Sequence, residues 1–126
     1  MSIALEEARA AGARGEVPVG CVVVRDGTIV ARAGNRTIAD HDPTAHAELI
    51  AIRATASTLG SERLADCDLY VTLEPCAMCA AAMSFARIRR LYFGAADATS
   101  ESNNLHATPQ TADERRQSEM SFTASI

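Results

Sequence analysis

From Val19 to Val24 the chain is an almost unbroken apolar run. A strand with one wet face alternates apolar and polar residues, whereas a strand without that alternation must be covered on both faces. Helices are therefore expected above and below the sheet that contains it. Asp26-Gly27 follows as a two-residue hairpin turn, since both residues tolerate positive φ, and Thr28 to Ala33 returns as a second strand. Residues 1–11 are rich in Ala, Glu and Arg and predict a helix that stops at Gly12. Asp42-Pro43-Thr44 is a helix start signal, with Asp42 or Thr44 as the cap. Leu49, Ile52, Ala56 and Leu59 then form one apolar stripe on a helix that ends at Gly60. Leu69 to Leu73 reads as a strand ended by Glu74-Pro75, and Met78, Ala82 and Phe85 form the stripe of a further helix. Leu91-Tyr92-Phe93 is a last strand, closing at Gly94. The order is helix, strand, strand, helix, strand, helix, strand. It predicts an α/β protein of three layers, α/β/α, with a mixed sheet of four to five strands. Right-handed crossovers place the starts of both later helices at the carboxyl edge of the sheet, where ligands bind.

A chain of 126 residues with 48% apolar content suits one compact domain. That domain is expected over residues 1–97. Residues 98–126 form an atypical polar tail whose only large apolar residues are Leu105, Met120, Phe122 and Ile126. Such a segment buries little surface, and is expected to be disordered or at most partly helical. No apolar run reaches the roughly 18 residues that span a bilayer. The first residues carry Glu6 and Glu7 where an export signal carries cations, so a soluble, cytoplasmic protein is expected. The net charge of −4 excludes a global basic field for nucleic acid. Arg87, Arg89 and Arg90 are the one dense basic cluster, either a solvated corner between helix and strand or a phosphate contact. Four cysteines in a chain without an export signal favour metal binding or catalysis over disulfides.

Two motifs carry the chemistry: His46-Ala47-Glu48 and Pro75-Cys76-Ala77-Met78-Cys79, each at the beginning of a predicted helix. One imidazole and two thiolates suit zinc, and three protein ligands leave a fourth position open. Helix starts favour thiolates through their free N–H groups and positive dipole end. His46 and Glu48 would point about 200° apart on a regular helix, so they can share a site only if the metal lies off the helix mouth. Glu48 is then left beside the metal to move protons in a hydrolytic reaction. The competing structural reading is a zinc knuckle, with Cys21, Cys67, His41 or His106 as the fourth ligand; it leaves Glu48 without a purpose. Outside the motifs, Cys21 reads as a small core residue and Cys67 as an ordinary thiol at a strand edge. His41 reads as a loop residue, His106 as solvated, and Met78 and Phe85 as core.

HAE followed by PCAMC resembles the signature of zinc deaminases that act on nucleobases. From Gly15 to Asp97, the stretches EVPVG, GNRTIADHDPTAHAE and LYVTLEPCAMCAAAMSFARIRRLYFGA are similar to the bacterial tRNA-specific adenosine deaminases. The resemblance implies a cytidine-deaminase-like fold and one zinc ion per subunit, held by His46, Cys76 and Cys79, with Glu48 as the proton shuttle. It implies that Asn35 hydrogen-bonds the target base and that Val17 and Leu73 line an apolar base pocket. It further implies that Asp97 matches a family position near the anticodon-loop backbone. The implied partner is a tRNA anticodon loop, bound in a groove across a homodimer interface, and no membrane is involved. The implied reaction turns adenosine into inosine at the wobble position. Two alternatives stand beside it: a deaminase of free guanine, cytosine or cytidine, and an inactive zinc-stabilised binding module or partner subunit. Residues 98–126 depart from the family, whose members continue there into further strand and helix.

Overall fold

The computed structural model describes residues 1–94. The expected domain boundary at residue 97, the tail 98–126, Asp97 and His106 lie outside these residues.

Helix α1 (Ser2–Ala13) leads into strand β1 (Gly20–Arg25), followed by β2 (Thr28–Gly34), α2 (Ala47–Leu59), β3 (Cys67–Val71), α3 (Ala77–Ala86) and β4 (Arg90–Phe93). The four strands form one sheet in the order β2-β1-β3-β4. β1 is antiparallel to β2 and to β3, whereas β3 and β4 are parallel. β2, β3 and β4 therefore all run one way, and their carboxyl ends share one edge of the sheet. The turn between β1 and β2 is the expected one, with Asp26 and Gly27 both at positive φ, 50° and 77°.

Alternation along β1 explains its apolar run. Cys21 and Val23 join the main core with Leu69, Val71, Leu91, Met83 and the inner residues of α2. Gly20 and Val22 face α1, which buries Ala4, Ala8 and Ala11. A Cβ on Gly20 would overlap the Ala4 carbonyl oxygen and sit 2.5 Å from the Ala8 nitrogen. Its register partner Gly34 also lies tight against α1, with Glu7 O 2.8 Å from where a Cβ would be. The helix backbone thus lies directly on strand backbone, an approach only glycine allows. Packing of the three alanines outweighs the roughly 1 kcal/mol helix penalty of Gly12, so α1 runs through it instead of stopping there.

Two further expectations are corrected. α2 begins at Ala47, not at Asp42 to Thr44. Asp42 instead accepts hydrogen bonds from the Thr44 N–H (2.9 Å) and hydroxyl (2.7 Å), closing a local turn. On α3 the buried face is Cys79, Met83 and Ala86, while Met78 is exposed and Phe85 is 82% exposed. Of the expected core stripe of Met78, Ala82 and Phe85, only Ala82 packs, partly buried, against the core, while Met78 and Phe85 turn outward. The stripe on α2 is as expected: Leu49 and Ile52 are buried, Ala56 and Leu59 pack partly against them, and Gly60 caps the helix at φ 63°. Tyr70 and Tyr92, register partners on β3 and β4, stack with ring centroids 4.6 Å apart. No helix among the described residues is long and apolar enough to cross a membrane.

Candidate active site

α2 follows β2 and α3 follows β3, so both helices start at the carboxyl edge of the sheet. Their N-caps are His46 and Cys76, each in an extended backbone conformation. His46 is thus not yet helical, which removes the difficulty of its spacing from Glu48. The imidazole turns off the helix mouth, and Glu48, the second residue of α2, points from within the first turn. His46 Nδ1 lies 3.7 Å from Cys76 Sγ and 3.5 Å from Cys79 Sγ, and the three ligand atoms all lie within 4.8 Å of one another.

These separations fit zinc. Bond lengths of about 2.3 Å to sulfur and 2.0–2.1 Å to nitrogen at a tetrahedral angle place N and S about 3.6 Å apart. Among the described residues no fourth His, Cys, Asp or Glu joins the cluster. Cys21 is fully buried in β1, and Cys67, also buried, opens the inner strand β3, so neither stands at the site. His41 lies in the loop before α2 at φ 50°. The knuckle reading finds no fourth ligand among them.

Burial pushes the Cys79 thiol well up, and the Glu48 carboxylate and Cys76 add to that shift. A divalent cation among the three ligand atoms would reverse it, since a coordinated thiol is deprotonated outright. Burial likewise raises the Glu48 carboxyl, opposed by its own backbone N–H, His46 and Cys79. Glu48 is 4% exposed, yet it reaches the wall of a cavity of about 220 Å³. Val17, Val19, Asn35, His46, Leu73, Glu74 and Cys76 complete that wall. The space is smaller than the several hundred Å³ of a drug-sized pocket and matches a single heterocycle better than a whole nucleotide.

The structure brings Val17, Asn35 and Leu73 to the same cavity as the three ligands and Glu48; Asp97 lies outside the described residues. Asn35 is buried, and its Oδ1 accepts the Ala47 N–H at 2.8 Å, so it caps α2 from the end of β2. Its main chain is held by Val19 O (3.2 Å) and by Arg14 Nη2, which donates to the Asn35 carbonyl at 3.1 Å. Arg87 and Arg90 sit at the opposite edge of the sheet, where α3 ends and β4 begins, and Arg89 donates twice to Asp68 at 3.0 Å. The basic cluster therefore faces away from the cavity.

Glu16 is a buried residue absent from the sequence expectations. Burial acts to raise its carboxyl, but donors from Ala39, Ile38 and Thr37, with the charge of Arg14, outweigh that and hold it below the ordinary range. The EVPVG stretch contains it, yet a glutamate in a connector reads as solvated until the loop it binds is known.

The model of the cytidine and deoxycytidylate deaminase zinc-binding region matches residues 1–95. A tRNA-specific adenosine deaminase of Agrobacterium fabrum is 64% identical over 97 residues, which cover 77% of this chain and 64% of that protein. The protein of the same name from Aquifex aeolicus is 45% identical with the same coverage. The chain thus spans 64% of the length of these two curated relatives. A structure solved in work on A-to-I editing by tRNA:A34 deaminases at the wobble position of transfer RNA superposes with a TM-score of 0.76. It is 56% identical and is covered to 88%, over 87% of this chain. A Bacillus subtilis guanine deaminase superposes with a TM-score of 0.75 at 29% identity, over 99% of this chain and 91% of its own.

Proposed function

The chain belongs to the cytidine and deoxycytidylate deaminase family, and on that premise we propose that it converts adenosine to inosine, by zinc-dependent hydrolysis, at the wobble position of tRNA. One observation carries the chemistry: a buried carboxylate, Glu48, stands outside the three-ligand cluster but on the wall of the cavity beside it. The substrate class follows the relatives, since similarity to tRNA-specific adenosine deaminases extends over 97 residues.

His46, Cys76 and Cys79 hold the ion. Zinc, when bound, would supply Lewis acidity that lowers the pKa of water to about 7. Glu48 takes one proton from the attacking water and gives it to the purine ring nitrogen, then takes the remaining proton of the added hydroxyl and delivers it to the departing amine. A bond from carbon C6 to oxygen forms, the bond from C6 to the exocyclic nitrogen breaks, and ammonia leaves. Val17 and Leu73 enclose the faces of the base and Asn35 fixes its edge. The base must leave its stack to enter, which costs least in a single-stranded loop. The protein works as a homodimer in the cytoplasm beside its substrate; Met78 and Phe85, exposed together on α3, support an apolar face covered by a partner.

The superposition on a guanine deaminase favours one second reading, action on a free base. Zinc-loaded protein is incubated with an anticodon stem-loop carrying a wobble adenosine, and separately with guanine, cytosine and cytidine. Inosine and ammonia from the stem-loop alone are expected. Ammonia from guanine would transfer the assignment to the free base, and none from any substrate would leave a zinc-stabilised binding module.

A further inference from the structure

We propose that Glu16 is a positioning residue. Its carboxylate clamps the loop between β2 and α2 onto the connector between α1 and β1, and so fixes Val17 and Asn35 relative to each other across the cavity. The inference deepens the deaminase reading above, and its kinetic arm rests on that reading.

Both carboxylate oxygens are committed. Oε2 accepts the Ala39 N–H at 2.8 Å; Oε1 accepts the Ile38 N–H at 3.1 Å and the Thr37 hydroxyl at 3.4 Å. Successive backbone N–H groups converging on one anion form a nest, and bonds to an ionised acceptor are about twice as strong as neutral ones. Among the described residues, no other side chain from outside the loop bonds residues 37–39. The loop's own ion pair, Arg36 with Asp40, is exposed and contributes little.

The clamp has a second grip. Arg14, two residues before Glu16, donates to the Asn35 carbonyl, two residues before Thr37. The connector thus holds the loop at both of these points. Val17 follows Glu16 directly and lines the cavity although it is 59% exposed, so little packing restrains it apart from its anchored neighbour. Glu16 itself is not part of the cavity wall and touches no ligand atom of the metal cluster. Its effect must pass through Val17 and Asn35, the two sides that would meet the base.

The test uses the full chain, zinc-loaded, with Glu16→Gln and Glu16→Ala. The amide of Gln keeps the shape but offers one acceptor where two are needed, and turns an N–H toward an N–H. Glu16→Gln is expected to raise KM for the anticodon stem-loop about tenfold while kcat stays within about twofold. Zinc stays at one per chain, and amide exchange at Ile38 and Ala39 accelerates. A role confined to stability would lower kcat with the folded fraction and leave KM alone; that result overturns the proposal, as does an unchanged KM in a folded Glu16→Ala. If the wild-type protein makes no inosine from the stem-loop, the substrate reading fails and the clamp is judged by NMR. A shifted Asn35 side-chain amide resonance in Glu16→Gln then upholds it, and an unshifted one overturns it.

Discussion

Glu48→Gln removes a charge at almost constant volume, in a place where the carboxylate is 4% exposed and bordered by His46 and Cys79. An amide cannot accept and return a proton at neutral pH. General acid–base catalysis contributes about 10²- to 10⁴-fold, so the variant should lose that much in kcat. At 1.36 kcal/mol per tenfold the loss amounts to about 3–5 kcal/mol of barrier. Metal content should not change, because Glu48 is not among the atoms that cluster within 4.8 Å. A third consequence concerns stability. Burial raises the Glu48 carboxyl in the folded state, and a carboxyl so raised weakens the fold as pH climbs through the ordinary glutamate value of about 4.3. The metal-free variant should therefore melt above metal-free wild type at pH 7, with the difference vanishing well below pH 4.3. The assays are inosine formation by chromatography, zinc per chain by mass spectrometry, and melting followed by circular dichroism. A kcat within tenfold of wild type, or zinc lost from the variant, would refute the proton-shuttle assignment.

Cys76→Ser should abolish the zinc-dependent rise in melting temperature. In wild type that rise is about 2.7 kcal/mol of stability at a hundredfold excess over Kd, or about 11–22 °C for a domain of this size, read by a thermal scan with and without chelator. Gly20→Ala should cost about 3 kcal/mol, because its Cβ meets backbone of α1 and not a movable side chain; the melting temperature should fall by about 12–24 °C. Unchanged melting would mean that α1 does not sit on β1 as described. Glu16, whose carboxyl is held below the ordinary range, stabilises the fold above about pH 4.3 and loses that contribution as pH falls through its lowered value. Denaturant titrations of wild type and Glu16→Gln should therefore differ at pH 7 and converge in acid.

The strands were legible because their patterns are local: the apolar run of β1, the Asp26-Gly27 turn and the short runs near Leu69 and Leu91 each declare themselves within a few residues. The metal cluster was legible because two short motifs specify both the ligand types and the helix starts that bring them together. What the sequence concealed depends on distant partners. The start of α2 could not be read from Asp42-Pro43-Thr44, because the donor at Ala47 is satisfied by Asn35, twelve positions earlier, and not by a neighbouring cap. α3, with the sequence AMCAAAMSFA, is apolar nearly all round. Periodicity alone offers both the Met78–Phe85 and the Cys79–Met83 faces, and only the sheet decides between them. Glu16 was hidden for the same reason, since its donors lie more than twenty positions downstream.

The cap that Asn35 provides also decides what the cavity wall can say to a visitor. A main-chain N–H takes one lone pair of that amide's oxygen and fixes which way the amide turns, and the nitrogen at its other end can only donate. A heterocycle with a lone pair on that side would complement this donor. Exchanging Asn35 for Asp would keep the helix anchored yet mute the wall, parting recognition from architecture at a single atom.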